Sequence, residues 1–554
     1  MASLQCSPVY KTFIRQLSTQ HRTFRNITAV HTPVLHKSFS SSSRIMTAEK
    51  ILNGRNMNSQ VRKAEYAVRG ELAIRSETLK TSAQHFVDKW LVLNPGSGNP
   101  SDLEEELAKG AKLPFKRVVG CNIGNPQALD QKPITFFRQV ASLVEYPELL
   151  KDENAEAAAK FYPSDAIARA KLLLKNIGSV GAYSHSQGIP HIRESVAKFI
   201  SERDGYPADP SKIFLTQGAS AGVQLTLEMI ISHNKVGVMI PIPQYPLYTA
   251  TLAVLDANPV PYYLDESKQW GLTSKELQRA YDESEKMGIE TRALVIINPG
   301  NPTGQCLAED NMKEIIEFCS KNKVILLADE VYQTNIYRPE DRPFHSFKKV
   351  LKSMGPKYEG FEMISYHSIS KGMIGECGRR GGYFECEGLD AEVMEQIYKI
   401  SSISLCPNVQ GQIMVDLMVS PPKKGDPSYP LYKKEYDAIY NSLIERAAIL
   451  EKTFNSLEGC TCNSADGAMY LFPQIRLPKK AIEAAKAVGK EPDHFYCMAM
   501  LESTGVCMVA GSGFGQVEGT AHFRSTFLPQ PELFDDFCSG IKNFHADFMN
   551  KYRE

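Results

Sequence analysis

The sequence predicts an α/β fold, with a large domain on a mainly parallel sheet covered by helices and a smaller domain beside it. Three observations predict it. Short runs such as VGVMIPI (236–242) and ALVIINPG (293–300) are apolar nearly throughout, as strands buried on both faces are. Helical stretches separate most of these runs, which is how a parallel sheet is connected. The third is scale, since 554 residues, 43% of them hydrophobic, exceed one compact core and imply two or three domains.

The first 48 residues stand apart, with no Asp or Glu, six Lys or Arg and eight Ser. A basic, serine-rich and acid-poor leader without a central apolar block is the profile of an organelle transit peptide over 1–45, not of a secretory signal. The mitochondrial matrix is the expected destination, with chloroplast or a plain disordered basic tail as alternatives. A second start at Met46 would give a cytosolic form. Residues 46–160 are expected to hold an N-terminal arm and part of the small domain, including a turn-rich insertion and short helix over 94–110.

From 161 the rhythm changes. YPSDAIARAKLLLKN predicts a helix capped by Ser164 and running through Leu174. Strands follow at 212–218, 236–242, 293–300, 324–332 and 362–368, which makes 161–410 the large domain. A helix over 431–457 leads into a C-terminal small domain, 411–554.

Composition narrows the function. The 63 basic and 63 acidic residues balance, which argues against nucleic acid or a membrane surface as partner. No run of about 18 apolar residues predicts a membrane span. The 12 cysteines include no CxxC and no metal-like spacing, so free thiols and no metal site are expected.

In parallel sheets ligands sit beyond the carboxyl ends of the strands, and four strand ends carry chemistry. After 212–218 come Ala219 and Ser220 at a helix start, where free backbone N–H groups favour an anion; steric need for small residues explains them equally well. NPGNPTG (298–304) fixes Asn301 in a turn, and alone is only a turn. LLADEVY places Asp329 and Glu330 on a buried strand, costly unless paired, with Tyr332 on the same face as Glu330 if the strand continues; a helix cap is the plain alternative. SISKGMIGECGRRGGY sets Lys371 after Ser368, with Arg379 and Arg380 close behind. An amine beside cationic groups suits Schiff-base chemistry, and a guanidinium fork suits phosphate.

The order of these motifs resembles the fold-type I, class I aminotransferases that use pyridoxal 5'-phosphate. Within that family, YAVRGELAIR, CNIGNPQ, GAYSHSQGI, NPGNPTGQ, LLADEVYQ and the lysine segment are similar to the alanine-transaminating branch. The resemblance covers nearly the whole chain after residue 60. It implies a large domain with a seven-stranded, mainly parallel sheet and a smaller α/β domain built from N- and C-terminal segments. It implies L-alanine and 2-oxoglutarate giving pyruvate and L-glutamate, ping-pong through an internal aldimine on Lys371; glutamate and glyoxylate are the alternative substrates. A lyase of the same fold, or a regulator with an N-terminal winged helix, matches these motifs less well.

By the same resemblance, Lys371 also shuttles the proton, Asp329 pairs with the pyridine nitrogen, and Tyr332 and Asn301 bond the ring's 3'-oxygen. Tyr245 stacks on the ring, and Ala219, Ser220, Ser368 and Arg380 hold the phosphate. Arg379 gains no role, and Cys377 is expected to pack. Arg524, in GTAHFRSTFLP, takes the substrate's α-carboxylate, with Asn301 and the Gly124 backbone helping. Tyr183 is implied to reach the phosphate of a second subunit, in a homodimer with shared active sites.

Overall fold

Seven strands form one sheet: β1 (Ile213–Thr216), β2 (Val236–Ile242), β3 (Asn258–Tyr263), β4 (Glu290–Ile297), β5 (Ile325–Asp329), β6 (Met363–Ser368) and β7 (Gly382–Glu387). The computed structural model describes residues 57–81 and 114–553. Neighbours run in the order β1-β7-β6-β5-β4-β2-β3, all parallel except β7, which is antiparallel to both β1 and β6. The five strands read from the sequence are all here. The two it missed are β3, at the edge, and β7.

Alternation along each strand sorts the side chains into two cores. Met239, Leu294, Ile296, Leu326, Ala328 and Met363 pack with Met312, Ile315 and Ile316. Val238, Ile240, Val295, Ile297, Leu327 and Ile364 pack with Val223, Leu227 and Leu252 on the other face. Each fully buried Val, Leu or Ile contributes roughly 1.5–3 kcal/mol, so neither face tolerates exposure. The sheet is thereby clamped between helix layers, among them α1 (Ala219–Ile230) and α2 (Glu309–Asn322).

A further core forms from both ends of the described chain. Leu72, Leu79 and Phe115 join Leu443, Leu450, Tyr496, Phe523, Phe544 and Phe548, from helices α3 (Tyr429–Asn455) and α4 (Pro531–Tyr552) and their surroundings. Val119–Gly120 pairs parallel with Val506–Cys507, tying the early segment to the late one. Here three short strands, β8 (Tyr470–Leu471), β9 (Val509–Ala510) and β10 (Phe523–Thr526), order as β8-β10-β9. Asn58–Glu554 make one compact unit.

Two local expectations change. The helix Ser164–Ile177 forms, but Ser164 is its first residue and makes no capping hydrogen bond; Pro163 holds the cap position. Strand β5 stops at Asp329, so Tyr332 does not share a strand face with Glu330. The leader, Met46 and the insertion over 94–110 lie outside the described residues. Among those described, eleven cysteines are free, no helix is long and apolar enough to cross a membrane, and no group of side chains is set to hold a metal.

Candidate active site

The carboxyl ends of β1, β4, β5 and β6 converge on a cavity of about 490 Å³. Asp329, the last residue of β5, is buried and accepts hydrogen bonds from Tyr248 Oη at 2.9 Å and from the Val331 backbone N–H at 3.4 Å. Burial pushes its carboxyl up to about 6, against the opposing pull of those bonds and of the Lys371 charge. Beyond the strand the chain turns, so Tyr332 enters the cavity while Glu330 faces away and accepts from the Phe347 N–H at 2.7 Å. Burial raises Glu330 to about 8, and it takes no part in the cavity.

Lys371 sits three residues past β6. Its Nζ donates to the Gly124 carbonyl at 2.7 Å and to Tyr470 Oη at 3.5 Å. A Cβ at Gly124 would lie 2.2 Å from Tyr470 Oη and 2.8 Å from Lys371 Nζ, so a larger residue there would displace both groups from the cavity. Tyr332 Oη donates to Tyr470 Oη at 3.1 Å and accepts from Asn301 Nδ2 at 3.4 Å. Burial raises the Tyr332 phenol. Burial also pushes the Tyr470 phenol up, but the charges of Lys371 and Arg524 outweigh it and bring that group below its ordinary value.

Arg524 on β10 is buried. Its guanidinium donates to Asn301 Oδ1 at 2.9 Å and to the Asn122 carbonyl, with the Tyr470 and Phe514 rings 4.2 and 4.6 Å from its centre. Its Nε has no partner. A buried cation with a free donor in a cavity is set up to receive a carboxylate.

The opposite wall suits a phosphate. Ala219 and Ser220 open α1 with no side-chain cap on its N–H groups, and Ser368 and Arg380 border them. Arg380 donates to the carbonyls of Gln217 at 2.9 Å and Cys377 at 3.2 Å. Gly218, at φ +80°, is where a Cβ would meet Arg380 Nη2 at 2.5 Å, so the arginine closes tightly over the helix start. Arg379 turns away to Gln410, 2.7 Å off, and does not line the cavity. Tyr245 lines it, braced by Tyr66 with the two hydroxyls 2.5 Å apart.

These residues fit pyridoxal phosphate: an anion cradle at one wall, a reactive amine, and a buried carboxylate that makes no ion pair among the described residues. Of the residues given a role at the site in the sequence, all line the cavity except Tyr183, which is 79% exposed elsewhere; Glu330 and Arg379, named beside them without a role, do not. Cys377 also lines the cavity and donates to Asn125 Oδ1 at 3.2 Å. Sequence reasoning missed Tyr248, Tyr470, Asn122, Tyr66 and Arg69. Tyr248 was within reach, three residues after Tyr245 and in the first turn of the helix Leu247–Val254 that follows it.

The sequence profile of the aminotransferase class I and II family matches residues 150–541. A Dictyostelium discoideum protein named "Probable alanine aminotransferase, mitochondrial" is 52% identical over 510 residues, 92% of this chain and 91% of that one. The "Glutamate--glyoxylate aminotransferase 2" of Arabidopsis thaliana is 48% identical over 507 residues, 91% of this chain and 98% of that one. Among solved structures, an Escherichia coli aminotransferase superposes with a TM-score of 0.65 at 20% identity, covering 89% of this chain and 98% of that one; at that identity the likeness speaks for the fold.

Proposed function

The chain belongs to the class I and II aminotransferases, and from that premise we propose that it exchanges the amino group between L-alanine and 2-oxoglutarate, giving pyruvate and L-glutamate, with pyridoxal 5'-phosphate as cofactor. The observation that carries the reading is the meeting, in one cavity, of Lys371, the buried carboxylate of Asp329 and the buried Arg524 with its unpartnered Nε. The relative named as an alanine aminotransferase, at 52% identity, supports alanine as the donor.

When bound, the cofactor supplies an aldehyde for the amino group and a ring that takes up the electron pair released with the α proton. Ser220, Ser368, Arg380 and the N–H groups at Ala219 and Ser220 hold its phosphate. Asp329 holds a negative charge toward its ring nitrogen, and Tyr248 orients that carboxylate. Tyr332 and Asn301 bond the ring oxygen, and Tyr245 packs against the ring. Arg524 grips the substrate α-carboxylate, held in place by Asn301 and Asn122. Lys371 Nζ takes the proton from the substrate α carbon and later returns one, while Gly124 O and Tyr470 Oη keep it near. The amino acid and the oxo acid use this site in turn, a ping-pong cycle.

The same reading includes 46–160 and 411–554 as the smaller domain beside 161–410, and a leader over 1–45 directing the chain to the mitochondrial matrix. It also includes a homodimer. The segment holding Tyr183 lies against 398–406, where Tyr398, Ile403 and Leu405 are exposed too, and this apolar face would bring Tyr183 to a partner's phosphate.

Steady-state rates with alanine, glutamate, aspartate and glyoxylate test the assignment. Alanine with 2-oxoglutarate should give the highest kcat/KM. Glutamate with glyoxylate outrunning it would replace the substrates, as the 48% identical relative allows. Absence of transfer with every pair would overturn the reaction itself.

A further inference from the structure

We infer that His522 is a positioning residue for Arg524: held between Glu266 and Gln516, it fixes the aromatic wall on which the guanidinium rests, and with it the affinity for every carboxylate substrate. The inference rests on the transamination proposed above, in which Arg524 takes the α-carboxylate.

The guanidinium depends on that wall because hydrogen bonds do not surround it. Bonds tie it to Asn301 and Asn122, and the rings of Tyr470 and Phe514 face it at 4.2 and 4.6 Å. Tyr470 is held by its hydroxyl, which meets Tyr332 and Lys371. Phe514 has no polar handle, so packing alone sets its plane. Its ring meets Phe472 edge-on, 5.8 Å between centres and 83° between planes. Phe472 in turn lies flat on the imidazole of His522, 4.9 Å away and 1° from parallel. Trp270 stands against both at 5.8 and 5.9 Å. The row of rings thus begins at His522 and ends on Arg524, two residues further along the chain.

His522 is the ring of that row with directional anchors. Its Nε2 donates to Glu266 Oε2 at 3.1 Å and its Nδ1 to Gln516 Oε1 at 2.9 Å. Gln516 gives its Nε2 to the buried Asp493, 2.9 Å away, which leaves its oxygen for the imidazole. A carboxylate and an amide oxygen can only accept, so both ring nitrogens carry hydrogen and the ring is gripped from two edges. Glu266 is fixed as well, by Gln474 Nε2 on the same oxygen at 3.0 Å and by Asn463 Nδ2 on its carbonyl at 2.9 Å.

The backbone needs none of these anchors. Gly511 N–H bonds the His522 carbonyl at 2.8 Å, Phe523 N–H bonds that of Pro473 at 3.2 Å, and Arg524 pairs with Val509. What Glu266 and Gln516 add is the orientation of one ring. Glu266 and His522 also line a separate cavity of about 510 Å³ that shares no lining residue with the active-site cavity. Removing the Glu266 carboxylate therefore leaves room for water and touches no substrate.

The test compares wild-type holoenzyme with His522→Phe, which keeps a ring and loses both anchors, Glu266→Ala, which loses one, and Glu266→Gln, which keeps an acceptor. In the first two variants KM for alanine, glutamate, pyruvate and 2-oxoglutarate should rise by one common factor, about fivefold or more, with kcat within about twofold. A contact made equally in the ground and transition states moves KM alone, and all four substrates carry the α-carboxylate. The inhibition constant of propionate, a carboxylate with no amino group to transfer, should rise by the same factor. Glu266→Gln should hold KM and propionate inhibition within about twofold of wild type. Should His522→Phe fail to fold, Glu266→Ala decides alone, its side chain being 27% exposed. Unchanged KM and propionate inhibition, or a fall in kcat at constant KM, would overturn the role of His522. Propionate inhibition undiminished in Arg524→Met would instead overturn the carboxylate grip, and a wild type that transfers nothing the function itself.

Discussion

Replacing Asp329 by Asn removes a charge that the fold holds at a cost, and the size of that cost follows from where the carboxylate sits. Burial raises the group from its ordinary 3.8 to about 6. A rise of about two pH units corresponds to about 3 kcal/mol. Because the folded value lies above the unfolded one, the folded chain keeps a proton that the unfolded chain releases between about pH 4 and 6. Folding therefore becomes less favourable as pH climbs through that window, and the whole penalty stands above it. Asn carries no charge at any pH and still offers Tyr248 an acceptor. Cofactor-free Asp329→Asn should then resist urea better than wild type by about 3 kcal/mol at pH 8 and by about half that at pH 5, read from unfolding midpoints and slopes. With pyridoxal phosphate added the order should reverse, since only the carboxylate can pair with a protonated ring, and turnover should collapse. A variant no more stable than wild type at pH 8, or a gap that ignores pH, would refute the reasoning. Wild-type turnover would remove Asp329 from the site.

Lys371→Ala should lower turnover by about 10⁴-fold with an unchanged far-ultraviolet circular dichroism spectrum; a loss under tenfold would end its assignment as the base. Arg380→Ala should raise the Kd for pyridoxal phosphate by about tenfold or more, whereas Arg379→Ala, whose side chain turns to Gln410, should stay within about threefold; equilibrium dialysis giving the opposite order would exchange their roles.

Much of this was legible because buried parallel strands betray themselves by uninterrupted apolar runs, and because site residues follow directly on those runs. Asp329, Ser368 and Lys371 were read that way. The two missed strands show the limits of the signal. In β3, NPVPYY carries two prolines and an edge strand's alternating exposure, which the eye assigns to a loop. In β7, GYFECE carries two glutamates that look like a solvated face, yet both are buried, paired with Lys348, and Glu387 also with Lys352. Charge neutralisation across 35 residues or more leaves no local trace. Tyr470 and Asn122 escaped for the same reason: each reaches the site from a remote segment, and a lone tyrosine or asparagine reads as ordinary packing or turn. Tyr183 followed from resemblance alone. Of the arginine pair, Arg380 lines the cavity and Arg379 does not, but why Arg380 closes on the helix start became visible only through Gly218.

Lys371 and Arg380 lie within one crossover, residues 369–381, between adjacent antiparallel strands in which Ser368 stands opposite Gly382. Both ends of that crossover are pinned by the ladder, and Ile369 N–H bonds Gly381 O at 3.2 Å. The length of the segment therefore sets how far apart the Lys371 amine and the Arg380 guanidinium stand. One inserted residue adds up to about 3.5 Å of chain, more than a hydrogen bond can absorb. Length variation should thus be tolerated at exposed turns such as Lys424–Gly425 and forbidden here, even at positions whose side chains touch nothing that reacts.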